Sequence, residues 1–159
     1  MYNLPIAVYS RNPPKPPPPG GNYWRINITA VNAYCAVSEM IMATTKGGPT
    51  VTTGGSPISG SNLGGYPASL AFDGVTSDPS SWISGNSGSG WLGYHFATNV
   101  AIVEIRMTQR PAGSGQSPRD FQIQRSNDGV IWTTTRTYTD QTLIWGSLPG
   151  VTWAAFDVY

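Results

Sequence analysis

DFQIQRSNDGVIW, residues 120–132, predicts a β-hairpin and is the stretch that decides the fold. Asp120 to Ser126 is predicted to be one strand, and Trp132 to Tyr138 is predicted to be the strand that returns beside it. Asn127-Asp128-Gly129 lies between them, and Asp-Gly is favoured in tight hairpin turns because such turns need residues that tolerate a positive φ. The stretch therefore predicts an antiparallel sheet.

Further strands are predicted on both sides of this hairpin. In residues 23–29, Trp24, Ile26 and Ile28 alternate with polar side chains, which is the period of two expected of a strand. Residues 37–45 suit a short helix or a strand, and we favour a strand because the run is short and its neighbours are β. Strands are also predicted at 90–96, 100–109 and 151–158, an extended connection or paired edge at 46–65, and one helical turn at 67–72. The pattern predicts an all-β fold, an antiparallel β-sandwich of the jelly-roll type.

Composition excludes several classes of function. Charged residues make up 11% of the chain, against roughly 25% in ordinary soluble domains, so Ser, Thr, Asn, Gln and Gly must cover the surface. Such surfaces are common in extracellular and virion proteins. The formal charge of +1 and the lack of a basic stripe exclude nucleic acid as an expected partner. Cys35 is the only cysteine and lies in an apolar run, so we expect a buried free thiol and no maturation through an oxidising secretory route.

The first 22 residues differ from the rest and predict two parts, an arm at 1–22 and a sandwich domain at 23–159. Four consecutive prolines in the arm favour polyproline II, and prolines donate no hydrogen bond to a sheet. The apolar tip before them is interpreted as an anchor made of Leu4, Ile6, Val8 and Tyr9; the alternative is an N-terminal tail without a role. We expect no signal peptide, because Pro5 interrupts the short apolar start, and no insertion into a membrane.

A series of motifs, most of them pairing an aromatic residue with a turn former, runs along the chain in order. They are AFDG at 71–74, Trp82, WLGYHF at 91–96, VEI at 103–105, SPRDF at 117–121 and SNDGVIW at 126–132. In this order they resemble the discoidin family, which includes the coagulation-factor C-type domains and galactose-binding-like carbohydrate modules. The resemblance covers most of residues 23–159 and implies a galactose-binding-like β-sandwich.

Two predicted strands stand in an unusual place for this family. YWRINIT at 23–29 and VSEM at 37–40 resemble strands that close the family's domain, yet here they precede the Asp-Gly motif. The chain therefore resembles a circularly permuted form, similar to modules of bacteriophage structural proteins. A proline-rich arm fits that setting, because an extended peptide can tether a globular head to a particle.

The resemblance also implies one structural calcium ion. Asp73 of the Asp-Gly loop, Thr76 further along the loop and Glu39 from the displaced strand would be its ligands. Ca²⁺ takes six to eight oxygens, and a kinked Gly loop turns several carbonyls inward. The alternative is that Asp73 only caps its own turn.

Aromatic residues are assigned to two roles. Trp82, Trp91, Phe121 and Trp132 occupy motif positions and are predicted to lie in the core. Tyr66 and Trp145 stand in Gly-rich segments and are the candidates for stacking against a sugar ring on exposed loops. For each of these two, packing on the core or a protein interface is the alternative.

The chain offers little for catalysis. His95 is the only histidine, and no serine stands in a Gly-x-Ser-x-Gly setting. We therefore expect a non-enzymatic accessory protein of a bacteriophage virion, for capsid decoration or in a tail or fibre, located on the virion surface. The arm would bind other virion proteins, and the sandwich would adhere to host-surface glycans as multiple copies or a homo-oligomer. The alternatives are a purely structural decoration protein that binds no glycan, and a stand-alone carbohydrate-binding module.

Overall fold

The structure is a computed structural model, and it describes residues 18–112, 115–146 and 153–159. The elements in these residues are β1 (Gly21–Ala30), β2 (Tyr34–Val37), β3 (Glu39–Ala43), β4 (Ser56–Ser59), a 3-10 helix (Ala68–Ala71), β5 (Trp82–Ser87), β6 (Gly90–Val100), β7 (Glu104–Thr108), β8 (Asp120–Ser126), β9 (Thr133–Tyr138), α1 (Thr142–Gly146) and β10 (Trp153–Asp157). No helix among them is long and apolar enough to span a membrane.

The strands form antiparallel sheets that pack as a β-sandwich. One sheet has the order β4-β6-β1-β8-β9, a second has the order β10-β7-β3, and β2 pairs with β5. The N-terminal strand β1 is thus the central strand of the larger sheet, with Ile26 opposite Leu92 of β6 and Ile123 of β8. The predicted fold class is confirmed.

The core lies between the sheets and follows from the alternation along each strand. Trp24 and Ile26 of β1 are fully buried, while Arg25 between them faces outward and is half-buried. Aromatic contacts join the layers, since the rings of Phe121 on β8 and Phe156 on β10 lie edge to face at 5.0 Å. Cys35 is buried as predicted, and burial raises the pKa of its thiol.

The hairpin that decides the fold is present, but residues 127–132 separate β8 from β9, so the connection is longer than the predicted tight turn. Asp128 and Ser126 hold the turn, because Asp128 Oδ1 accepts the N–H groups of Val130 and Ile131 at 2.8 and 2.9 Å. Gly129 has a φ of 72°, which explains why glycine follows the aspartate. The predicted strand at 37–45, the paired edge within 46–65 and the helical turn at 67–72 correspond to β3, β4 and the 3-10 helix.

The structure differs from the sequence predictions in four details. The helix α1 was expected to be a loop, and β5 has no counterpart among the predicted strands. Trp91 and Trp132 are half-buried on the outer face of the five-stranded sheet, so they are not core residues, whereas Trp82 and Phe121 are fully buried. Strand β1 begins at Gly21, two residues before the predicted start of the domain.

Candidate functional site

Long connections meet at one end of the sandwich. The connection 60–81 arrives beside β3, where the hydroxyls of Ser38 and Ser81 lie 2.9 Å apart. Strand β7 ends opposite Glu39, the first residue of β3, and continues into the connection 109–119. Loops of this kind are supported by two rigid sheets and are where ligand sites commonly form. We refer to this region as the loop end.

Arg110 links the two long connections of the loop end. Its Nε lies 2.7 Å from Asp78 Oδ1, and its guanidinium carbon lies 5.3 Å from the centre of the Tyr66 ring. A terminal nitrogen also donates to Gln116 Oε1 at 3.4 Å. A guanidinium held by a carboxylate on one side and an aromatic ring on another has lost much of its rotational freedom. The loop end therefore presents an oriented charged pair beside an aromatic ring.

Tyr66 borders an open groove of about 520 Å³. The groove is lined by Gly64, Gly65, Tyr66, Leu70, Pro79 and Ser80. Tyr66 is half-buried, and a Cβ atom at Gly64 or Gly65 would meet nothing within 4 Å, so this part of the groove is open. The structure thus places the first predicted sugar-stacking residue at the edge of a groove, as an exposed platform would require.

Trp145 differs from its prediction. It lies on α1 instead of an exposed loop, is 7% exposed, and packs its ring 5.9 Å from that of Phe156. Its indole N–H donates to the carbonyl of Pro118 at 2.7 Å, which holds the ring against the core. An indole buried to this extent has no open face on which a pyranose could stack, so the prediction of an exposed stacking residue is wrong.

One edge of Trp145 does reach a small pocket of about 150 Å³ on the other side of the connection 109–119. Its lining consists of Asn32, Gln109, Gly115, Ser117, Arg119, Thr142 and Trp145. Ser117 is 6% exposed, and its hydroxyl has no hydrogen-bond partner in the described residues. Because this oxygen is itself enclosed, Ser117 does not present an open hydroxyl to a ligand in the pocket.

The predicted calcium ligands are brought together only in part. Glu39 is 6% exposed and accepts the N–H of Gly74 at 3.0 Å, which places its carboxylate beside the Asp-Gly loop. Asp73 accepts the N–H of Val75 at 2.8 Å, as in a self-capped turn, and the hydroxyl of Ser80 at 2.6 Å. Thr76 lies on the same loop, but no hydrogen bond in the described part of the chain joins it to either carboxylate.

The carboxylate of Glu39 lies in an environment that favours a proton or a cation. Burial raises the pKa of Glu39 to about 7, with a smaller contribution from the nearby charge of Asp73, while N–H groups of the loop oppose the shift. No ion pair within residues 18–112, 115–146 and 153–159 involves Glu39 or Asp73. The same residues contain no set of three or more His, Cys, Asp or Glu side chains that could hold a metal ion. A calcium ion here would need backbone and hydroxyl oxygens in addition to the two carboxylates.

Sequence reasoning missed the polar residues of the loop end. Arg110, Asp78 and Arg119 lie in irregular connections, where no strand or helix periodicity in the sequence marks them as site residues. The available signals were the position of Arg110 next to a predicted strand end and that of Arg119 within the SPRDF motif, and Asp78 had neither. The predicted anchor residues Leu4, Ile6, Val8 and Tyr9 lie outside the described residues.

Comparison with known proteins gives one match. The model of the family described as F5/8 type C domain matches residues 55–152, which is more than half of the chain. No curated protein and no solved structure matches. The matched segment includes the loop end but not β1 to β3, although β1 fills the centre of the larger sheet. The chain belongs to the F5/8 type C, or discoidin, family.

Proposed function

We propose that this domain is a non-enzymatic binding module that holds a sugar residue at its loop end, with Tyr66 as the stacking platform. Domains of the F5/8 type C family are generally non-catalytic binding modules, and membership of the family suggests carbohydrate or other ligand binding. The observation that carries the proposal is the half-buried Tyr66 ring at the edge of an open groove, beside the oriented pair of Arg110 and Asp78.

The chemistry of the groove suits a pyranose. The face of a tyrosine ring packs against the C–H face of a sugar, and Leu70 and Pro79 extend this apolar surface. Arg110 can donate to a sugar hydroxyl and Asp78 can accept from one, and their mutual contact at 2.7 Å fixes both directions before a ligand arrives. One such open site binds weakly, so adhesion would require several copies.

The test is a glycan array probed with the domain in multivalent form, for instance biotinylated and bound to streptavidin. Tyr66→Ala should lower the signal at least about tenfold, because it removes the platform. Tyr66→Phe should retain most of the signal. Tyr34→Ala is the matched control, since Tyr34 is 40% exposed and lines neither concavity of the loop end.

Two outcomes would refute the loop-end site. A glycan signal that Tyr66→Ala leaves unchanged would assign binding to another surface. The absence of any glycan signal would favour the alternative, a purely structural decoration protein that contacts neighbouring subunits.

The finer part of the proposal places the domain on a bacteriophage particle, anchored by residues 1–22. Its support is the apolar tip, the proline run and the order of the strands in the sequence. The root of the arm is fixed to the sandwich, since the carbonyls of Pro19 and Gly20 accept hydrogen bonds from Tyr159 at 2.6 Å and Arg125 at 2.9 Å. The arm would therefore begin at a fixed position on the sandwich and hold the sandwich at a distance from the particle.

Deletion of residues 1–17 tests the anchor without touching these contacts. Copies per purified particle should fall sharply in the deletion, and also when Leu4, Ile6, Val8 and Tyr9 are all replaced by serine. Replacement of Ser10 and Asn12 by alanine is the control and should leave incorporation unchanged. Normal incorporation of the deleted protein would refute the anchor.

We also propose one structural calcium ion between Glu39 and Asp73. Its support is that Glu39 and Asp73 are neighbours and form no ion pair within the described residues, and that Gly74, with a φ of 79°, turns the loop backbone sharply. A ligand that binds only the folded state raises the melting temperature. Calcium should therefore raise it in the natural protein and not in Asp73→Asn, whereas identical melting in calcium and in EDTA would count against the ion.

A further inference from the structure

The outer face of the five-stranded sheet carries a set of aromatic and planar groups that the core does not need. Residues that alternate with the buried Trp24 and Ile26 point outward from β1, and the register places Tyr23 opposite His95, Arg25 opposite Gly93 and Asn27 opposite Trp91. On the other side of β1, Arg25 lies opposite Gln124. The outward side chains of β1, β6 and β8 therefore form continuous rows across the strands.

The aromatic groups of this face touch one another in a chain. The Arg25 guanidinium lies 3.8 Å from the centre of the Trp132 ring and 5.1 Å from that of Trp91. Tyr23 stacks on His95 at 4.1 Å and meets Trp132 edge-on at 6.4 Å. All five side chains are half-buried, so each keeps part of its surface open to solvent. We call this set the aromatic row.

The positions of these groups are fixed by their neighbours. Trp91 packs against Gly60, where a Cβ atom would collide with the indole, so only glycine allows the ring to lie there. Arg25 Nε donates to Gln124 Oε1 at 2.8 Å, and Gln124 is 8% exposed. The Gln124 amide in turn donates to Gln122 at 2.9 Å and to Thr134 at 3.1 Å. The guanidinium is thus oriented before any ligand binds.

A depression of about 270 Å³ continues the aromatic row beyond Trp91. Short polar side chains surround it, and the lining is Asn27, Ile28, Gly60, Ser61, Asn86, Ser89, Gly90 and Trp91. Amides and hydroxyls next to one indole are the groups that hydrogen-bond sugar hydroxyls while the ring packs on the aromatic face. The volume admits a sugar residue.

The charge of the face indicates which sugar. The outward residues of the aromatic row and the depression include Arg25 and no Asp or Glu. A planar guanidinium matches a carboxylate in two-point geometry, and Arg25 forms no ion pair within the described residues, so its charge is available to a ligand. A polysaccharide in which one sugar ring stacks on Trp91 and the next carries a carboxylate for Arg25 would fit both the indole and the guanidinium.

We infer that the outer sheet face is a second binding site, for an acidic polysaccharide that lies across the strands. One sugar ring packs on Trp91 and extends into the depression, and the carboxylate of a uronic or sialic acid residue binds Arg25. This site is separate from the loop end and does not depend on the function proposed for Tyr66. A chain running over several strands makes contacts with successive residues, which a single groove at the loop end does not provide.

The test uses oligosaccharides of galacturonic acid, mannuronic acid, hyaluronan and polysialic acid, each paired with a counterpart whose carboxyl groups are esterified or reduced. Binding to the intact, full-length protein is measured by calorimetry at low and at high salt. At least one acidic oligosaccharide should bind about tenfold or more tightly than its neutral counterpart, and its affinity should fall as salt rises. Trp91→Ala and Arg25→Gln should each weaken binding at least about tenfold, while Tyr66→Ala should not.

A matched pair at the depression guards against effects on folding, because Ser89 is exposed and lies at its rim. Ser89→Glu should weaken binding about threefold to tenfold, and Ser89→Lys should preserve or strengthen it, since the two variants differ mainly in the sign of the added charge. Three results would overturn the inference: no acidic oligosaccharide binds, neutral counterparts bind equally well, or both Ser89 variants bind alike. Loss of binding in Tyr66→Ala with none in Trp91→Ala would assign the ligand to the loop end instead, and would leave the proposed function standing alone.

Discussion

Removal of one negative charge from the interior should stabilise this protein. Glu39 is 6% exposed on β3, and burial raises the pKa of its carboxyl to about 7, with the charge of Asp73 adding to the effect. Above that pH the carboxylate is ionised in a place that disfavours charge. Glu39→Gln keeps an oxygen that can accept the Gly74 N–H, bonded at 3.0 Å in the natural protein, and removes the charge.

The magnitude follows from the difference between the folded value of about 7 and the ordinary value of 4.5. At ~1.4 kcal/mol for each pH unit, ionisation of Glu39 costs the folded state about 3 kcal/mol. Between these two values the folded protein binds more protons than the unfolded chain, so the free energy of unfolding decreases as the pH rises through this window. The stabilisation that comes from keeping Glu39 protonated is fully present below pH 4.5 and is lost above about pH 7.

Urea denaturation in EDTA between pH 4 and pH 8.5 measures this effect. Glu39→Gln should match the natural protein at the acid end, exceed it by roughly 2–3 kcal/mol at the alkaline end, and show a flatter dependence on pH. Glu104→Gln is the matched control, because Glu104 is 7% exposed but pairs with Arg106 at 3.1 Å. Removing that partner should destabilise the protein.

The reasoning is refuted if Glu39→Gln is no more stable than the natural protein at pH 8 in EDTA. Addition of calcium separates this result from the proposed metal site. An ion at Glu39 and Asp73 would offset the buried charge. Calcium should therefore stabilise only the natural protein and reduce the difference in free energy of unfolding between it and Glu39→Gln.

Three further predictions concern the scaffold. Gly93→Ala should lower the free energy of unfolding by about 2–4 kcal/mol, because a Cβ atom at Gly93 would collide with the backbone oxygen of Trp24, whereas Gly64→Ala, which meets nothing within 4 Å, should leave urea denaturation nearly unchanged. Residues 55–152 expressed alone should give an NMR spectrum of an unfolded chain, since the central strand β1 is missing, and a dispersed spectrum would contradict this account. Cys35 should react with a thiol reagent only after denaturation, because burial keeps the thiol enclosed and raises its pKa; rapid reaction in the native protein would show that β2 opens easily.

The strand pattern could be predicted because each strand has one face in the core. In β1 the alternation of Trp24, Ile26 and Ile28 with polar residues is visible in the sequence, and burial in the structure follows it residue by residue. The same rule applied to β6 would have placed Trp91 outward with His95, since Leu92 and Phe96 share the opposite face. The motif position of Trp91 suggested the core instead, and that is why the prediction for this residue is wrong.

The candidate sites could not be predicted to the same degree, because they depend on contacts between distant segments. Only the family resemblance placed Glu39 beside the Asp-Gly loop, and nothing near Glu39 in the sequence indicates that the Gly74 amide will donate to it. The helix that buries Trp145 has only five residues, and its indole bond to Pro118 joins positions 27 residues apart. Short elements of this kind form because of tertiary packing, and local sequence carries little information about them.

The position of the aromatic row bears on why it exists at all. The core of the larger sheet is completed by inward residues such as Trp24 and Leu92, both fully buried, so the outward tryptophans add little to the packing between the sheets. Partial exposure of two indoles would be a disadvantage on a surface with no partner, because apolar area left in water promotes association. Gly60, which leaves room for Trp91, and Gln124, which orients Arg25, hold these groups in place at some cost in side-chain freedom. A surface that is fixed in this way and carries a single positive charge is better explained by a ligand than by stability. The Ser89→Glu and Ser89→Lys pair tests this explanation without disturbing any of the residues that hold the row in place.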